Sequence, residues 1–247
     1  MERNSVSHSG RTGNNSYYSL KYELIVVLVA ALIFVGCMVS PPSLMDDVDA
    51  VQAQIARNML DSGDWVSARL DGVLYLEKSP LKYWMIAVCY WLFGVHDWVA
   101  RIPVVLSIIV LAWLIARIGA WAFSARTGLY SGLVFSTSIG LFLFTRILIP
   151  DIVLTLTITL AMWAFLRALD DAEPRPRLWA AVMAAAIGTG LLLKGLIAAV
   201  FPVAGALLYL AFRRELFSWP VWRRLHVFSG LAIAFLIAAP WHILATL

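Results

Sequence analysis

Between Leu178 and Phe212 the chain carries a single charged side chain, Lys194. As one helix that stretch would reach about 52 Å at 1.5 Å per residue. The hydrocarbon core of a bilayer is only about 30 Å thick. The stretch must therefore fold back on itself, and Lys194-Gly195 is where its apolar pattern breaks. We read two limbs, 178–193 and 196–212, joined by a tight turn at that dipeptide. Arg175 and Arg177 flank one end of the pair, and Arg213 and Arg214 flank the other.

Further apolar segments lie at 22–40, 98–122, 128–145, 151–168 and 225–240. Pro41-Pro42 ends the first of them. With the doubled-back stretch counted as one unit, the chain reads as about six spans. The composition leaves little room for another reading: 62% of the 247 residues are apolar and 14% are charged, against roughly 25% charged in soluble domains. The expected fold is all-α, a polytopic transmembrane helical bundle. Cys37 and Cys89 sit in apolar surroundings and read as packing residues.

The net charge of +4 does not point to nucleic acid, because the basic residues sit in short clusters between apolar runs. If the polar N-terminal segment 1–21 is a disordered cytoplasmic tail, Arg3, Arg11, Lys21, Arg117, Arg126, Arg167, Arg175, Arg177, Arg213, Arg214, Arg223 and Arg224 all fall on the cytoplasmic side, the larger share of the 19. The other basic residues are spread over more sequence. We therefore expect a plasma (bacterial inner) membrane protein with its N-terminus inside.

That orientation puts residues 41–97 outside, and the segment is too patterned to be a plain connector. Val48, Val51, Ile55 and Met59 recur at helical spacing after Asp46-Asp47, and Gly63 closes the run. This predicts an amphipathic helix on the membrane surface. A second helix is expected after Glu77-Lys78-Ser79-Pro80, with Ser79 as cap, Pro80 in the first turn, and Leu81, Trp84, Val88 and Trp91 as the apolar face up to Gly94.

A helix N-terminus offers free N–H groups and a positive dipole end, which suit a phosphate. Lys78 precedes such a terminus and Lys82 lies one turn on. Asp46 and Asp47 stand at the start of the other helix, where a carboxylate can take a proton from an acceptor hydroxyl. Capping explains aspartates at that position equally well, and headgroup contact explains Lys78. Lys194 stands between two apolar limbs, a placement that marks either function or a side chain reaching to the interface. Asp151 follows Pro150 at the start of a span, where it caps the helix, pairs with Arg146, or binds substrate.

Several motifs in order resemble a known family. They are Met45-Asp46-Asp47, Ala56-Arg57-Asn58-Met59-Leu60, Ser62-Gly63-Asp64-Trp65, Tyr75-Leu76-Glu77-Lys78-Ser79-Pro80-Leu81, Ala100-Arg101-Ile102-Pro103, Pro150-Asp151, Leu193-Lys194-Gly195-Leu196 and Pro240-Trp241. Together they resemble the lipid A aminoarabinose transferases and their relatives, the protein mannosyltransferases included. These are membrane glycosyltransferases of the GT-C type (family 39/83-like). The resemblance covers most of 40–242 and corresponds to the N-terminal portion of such proteins, whose chains continue with further spans.

The resemblance implies transfer of a sugar from a polyprenyl-phosphate-linked donor to an acceptor such as lipid A, a glycan or a protein, on the outer face of the membrane. It implies Asp46 and Asp47 as catalytic carboxylates. Glu77, Lys78, Lys82, Asp151 and Lys194 would bind substrate, the lysines on the phosphate side. The motif departs from the family where Glu-Lys-Pro-Pro reads Glu77-Lys78-Ser79-Pro80, and where Asp-Glu reads Asp46-Asp47. The outer carboxylates leave room for a divalent cation, although no ligand spacing names one. A flippase for lipid-linked sugars, or a non-catalytic membrane subunit, is the competing class.

Overall fold

The computed structural model describes residues 12–39, 43–44, 47–76 and 78–246. Eleven helices and one small hairpin follow one another in these residues. Helix α1 (Thr12–Val39) carries the first expected span, but it starts well before Tyr22. The part of the expected tail from Thr12 onward is therefore helical backbone. The rest of that tail lies outside the described residues.

Helix α2 (Asp47–Ser62) ends as the sequence suggests. Gly63 takes a positive φ of 71° and its N–H closes on the Met59 carbonyl. Two short strands follow, β1 (Arg69–Leu70) and β2 (Val73–Leu74), paired antiparallel through Asp71-Gly72. Both turn residues have positive φ, the geometry that an Asp-Gly pair supplies for a two-residue hairpin. Helix α3 (Leu81–Phe93) is the second loop helix, stopped at Gly94. Its first turn differs from expectation: Pro80 occupies the cap position and no side chain caps it.

Helix α4 (Asp97–Ala122) then crosses the bundle. The expected span 128–145 is not continuous. It divides into α5 (Ala125–Ser136) and α6 (Ile139–Phe144). Thr137 turns its hydroxyl back onto the Leu133 carbonyl, and Ser138 adopts extended backbone as the next cap. Helix α7 (Asp151–Leu169), helix α8 (Pro176–Lys194) and helix α9 (Ile197–Phe212) match the next three segments, with Gly195 at φ 67° in the turn between the last two. A short α10 (Trp219–Arg224) leads into α11 (Val227–Leu244).

Among the described residues α4, α7, α8 and α11 are long and apolar enough to cross a membrane. Helix α4 is the most buried of these and α11 the least. Helix α1 packs on α4 and α5, α4 on α7, α7 on α8, and α8 on α11. The main core gathers Val26, Phe34, Ile86, Val105 and Ile108.

Close helix approach depends on small residues, as is common where lipid provides no hydrophobic drive between helices. A Cβ on Gly128 of α5 would stand 2.4 Å from the Ala116 carbonyl oxygen of α4. On α8, a Cβ on Gly188 would stand 3.0 Å from Ala234 of α11.

The chain thus has two ends. The loop end carries α2, the hairpin, α3, the 145–150 turn and the Lys194-Gly195 turn. The arginine end carries 170–176 and 213–226.

Candidate functional site

At the loop end the start of α2, α3, α4 and α7 meet around the segment that joins α6 to α7. That segment has no regular structure, so its backbone groups need partners from elsewhere if they are kept from water. Three charged side chains supply them. Asp49 of α2 accepts from the Leu148 amide at 2.7 Å. Lys82 of α3 donates to the Leu148 carbonyl, and Arg101 of α4 donates to the Arg146 carbonyl. Arg101 and Asp49 also pair with each other at 2.9 Å, with side chains 0% and 6% exposed.

Neither Asp49 nor Arg101 stood out as a site residue from spacing or composition. For Arg101 the available signal was a charge in the first turns of an apolar helix, within the Ala-Arg-Ile-Pro motif.

The same geometry sets the two faces of α3. Lys82, Tyr83, Ile86, Ala87 and Tyr90 are buried, whereas Val88 and Trp91 are exposed. Helix α3 turns its apolar stripe outward, as a helix in lipid does, and its lysine inward. Burial pushes the Lys82 amine down to about 7, partly offset by the Asp49 and Asp151 charges, while Lys78 and Lys194 add to the lowering. Lysines 78, 82 and 194 and aspartates 49 and 151 therefore stand within electrostatic reach of one centre.

Asp151 opens α7 directly after the clamped segment. It does not pair with Arg146, which lies over the Phe142 ring instead. Its partner is Lys194, at 2.7 Å, from the far end of α8. Both side chains are partly exposed, at 43% and 36%. Such a bridge contributes about 0–1 kcal/mol, so it can open for a better anion at little cost. Nearby, Gln52 Oε1 and Arg146 Nε are buried with no hydrogen-bond partner among the described residues.

Of the other expected site residues, Asp46 and Glu77 lie outside the described residues. Asp47 opens α2, and its side chain also lies outside them. Lys78 is half-buried just before α3. Among the described residues no three His, Cys, Asp or Glu side chains gather as a metal ligand set.

The remaining motifs build the roof. Asp64 accepts from the amides of Val66 and Ser67, which holds its carboxyl below the usual range. The indole of Trp84 donates to the Trp65 carbonyl at 2.6 Å, and that of Trp241 donates to the Val66 carbonyl at 3.0 Å. Asn58 donates to the Arg69 carbonyl. The 63–76 segment is thereby fixed to α2, α3 and α11.

Beside the site, an apolar groove of about 440 Å³ runs between α3, α4 and α7, along Leu81, Met85, Val88, Leu106, Val110 and Leu156.

Comparison with known proteins agrees with this architecture. The chain superimposes on the crystal structure of ArnT from Cupriavidus metallidurans in the apo state with a TM-score of 0.81 and 25% identity, covering 94% of this chain and 42% of that one. The structure of the same protein bound to undecaprenyl phosphate matches at 0.81 and 26%, with the same coverage. The undecaprenyl phosphate-alpha-4-amino-4-deoxy-L-arabinose arabinosyl transferase of Pseudomonas aeruginosa is 35% identical over 200 residues, 76% of this chain and 34% of the relative. A transferase of the same name from Proteus mirabilis is 34% identical over 203 residues, 79% of this chain and 35% of the relative. The chain thus spans about a third of the length of these relatives. The family model described as dolichyl-phosphate-mannose-protein mannosyltransferase matches residues 77–244. Over the greater part of its length, with the fold of a GT-C membrane protein, the chain belongs to the dolichyl-phosphate-mannose-protein mannosyltransferase family.

Proposed function

We propose that the chain forms part of a membrane glycosyltransferase that moves a sugar from a polyprenyl-phosphate-linked donor to an envelope acceptor. The acceptor is lipid A, a glycan or a protein, and the reaction runs at the outer face of the membrane, with the N-terminus inside. The observation that carries this reading is the gathering of Lys78, Lys82 and Lys194 with Asp151 at one membrane end, beside a lateral apolar groove. A phosphate on a long hydrocarbon needs such a pairing: cations at the interface and an apolar surface open sideways to lipid. The solved relative bound to undecaprenyl phosphate supports the choice of donor.

In the reaction the bond between the anomeric carbon and the donor phosphate oxygen breaks, and a bond from the acceptor oxygen to that carbon forms. The acceptor proton passes to a carboxylate, which we assign to Asp46 with Asp47 beside it. The bonding electrons leave with the phosphate, so negative charge grows there in the transition state. Lys78 and Lys194 offset it, and Glu77 orients Lys78. Lys194 exchanges Asp151 for the phosphate. Lys82 acts from beneath, through the Leu148 carbonyl that it already holds.

The test is transfer of label from a radiolabelled polyprenyl-phosphate sugar in proteoliposomes that contain membrane extract as acceptor. Label bound covalently to an acceptor, and lost in Asp46→Asn, is the expected result. Label that only crosses the bilayer replaces the transferase with a flippase.

A further inference from the structure

At the arginine end, far along the bundle from the lysine cluster, a cavity of about 400 Å³ opens between the start of α8, α10 and the start of α11. Its lining is Arg177, Trp219, Pro220, Arg223, Arg224 and His226. Nothing in the transfer reaction uses these residues.

The charges around it do not balance. Arg224 donates to the Asp171 carboxylate and to the Asp170 carbonyl, both at 2.5 Å. Its Nε is buried with no hydrogen-bond partner among the described residues. The other acids at this end are already committed: Asp170 to Trp121, Glu173 to Arg167, and Glu215 to Arg213. Arg177 and Arg223 are exposed and form no ion pair among the described residues. The cavity therefore offers two unpaired guanidinium groups and a third with a spare donor.

The level of the cavity is marked by aromatic side chains. Phe217 is 95% exposed, Trp219 70% and Phe228 84%, within two residues of the lining or part of it. Large aromatic rings left uncovered at the end of a membrane bundle match the interfacial belt, where one side of the chain meets acyl groups and the other meets headgroups. Basic pockets between spans at that level suit acidic lipid headgroups, and guanidinium forks suit phosphate oxygens.

We propose that this cavity binds the phosphate of an anionic phospholipid, with the acyl chains lying along Phe217, Trp219 and Phe228. The site anchors the α8–α10–α11 corner to one leaflet and does not depend on the identity of the sugar donor.

The test compares two double variants of the full protein in nanodiscs of phosphatidylcholine with one-fifth phosphatidylglycerol. Arg177→Gln with Arg223→Gln removes the unpaired lining charges. Arg213→Gln with Arg214→Gln removes two charges at the same end that do not line the cavity. Phosphatidylglycerol retained through detergent exchange is measured by lipid mass spectrometry. At about fivefold per basic residue, the lining pair should weaken retention about 25-fold and the control pair about twofold or less. Equal losses in both pairs would reduce the site to general surface charge and overturn it. So would equal retention of phosphatidylcholine by the unaltered protein. Full displacement of the lipid by millimolar inorganic phosphate would assign the cavity to a free anion instead. Both pairs are exposed, and their thermal unfolding should match that of the unaltered protein.

Discussion

The clamp on residues 146–148 makes a demanding prediction about Arg101. Replacing it with Met keeps most of its apolar bulk and removes its charge. The Asp49 carboxylate, 6% exposed and 2.9 Å from the guanidinium, then loses the cation paired directly with it. Breaking a buried pair in this way costs about 3–5 kcal/mol. The Arg146 carbonyl also loses its donor, which costs about 1–3 kcal/mol where water cannot replace it. The expected total is about 4 kcal/mol or more, or a fall in Tm of roughly 8–16 °C for a chain of this size.

Asp49→Asn should also destabilise, since it removes the carboxylate charge that faces the buried guanidinium. An asparagine can still accept from the Leu148 amide. The double variant removes both charges, so it should be less destabilised than the sum of the two, by about 2 kcal/mol or more. Thermal unfolding in detergent, followed by tryptophan fluorescence, gives all three values. Hydrogen exchange at the Leu148 amide should quicken in each single variant. Single variants within about 1 kcal/mol of the unaltered protein, or a strictly additive double, would refute the claim that this pair holds the loop.

Other consequences follow from separate parts of the bundle. Gly128→Val would force a methyl-bearing Cβ into the Ala116 carbonyl at 2.4 Å and should cost about 1–3 kcal/mol by pushing α4 and α5 apart; unchanged thermal unfolding would contradict the packing. Lys82 has its amine lowered from 10.5 to about 7 by burial, so the unfolded state binds more protons between those values. Stability should then rise with pH across the window from about 7 to 10.5, by at most about 1.4 kcal/mol per unit, and Lys82→Met should flatten that slope. A slope that survives the substitution would assign it to another group. Lys194→Ala should leave stability within about 1 kcal/mol, because its bridge is partly exposed, while raising the KM for the polyprenyl-phosphate donor about tenfold or more through loss of a charged hydrogen bond. An unchanged KM would remove Lys194 from the phosphate side.

How much of this was legible beforehand depends on which solvent a residue faces. Apolar length located α4, α7, α8, α9 and α11, and the glycines at 63, 94 and 195 marked helix ends because only backbone freedom is needed to read them. The hairpin at Asp71-Gly72 went unread, although that dipeptide is a turn signal, because strands of two residues carry no alternating pattern. The break inside 128–145 was not visible to hydropathy. It rests on Thr137 and Ser138, whose hydroxyl and extended backbone outweigh an otherwise apolar run only when the local geometry is known.

The inward face of α3 was not legible for a deeper reason. Periodicity finds the apolar stripe of a helix and, in water, assigns it to the core. Next to lipid, the stripe of Val88 and Trp91 has no reason to hide, and the lysine does. The same effect hid Asp49 and Arg101, which look like solvent-facing charges in sequence and prove to be an enclosed pair at the loop end. Of the residues that the sequence did bring forward, Lys82 proves to be buried, whereas Lys78, Asp151 and Lys194 are partly exposed. The chain therefore separates its charges by depth. An inner set of Asp49, Lys82 and Arg101 holds the backbone before α7, and the partly exposed Asp151–Lys194 pair stands where that backbone ends. A buried frame with a weakly paired rim is what the proposed transfer requires, since the site must keep its shape while Lys194 exchanges Asp151 for the donor phosphate.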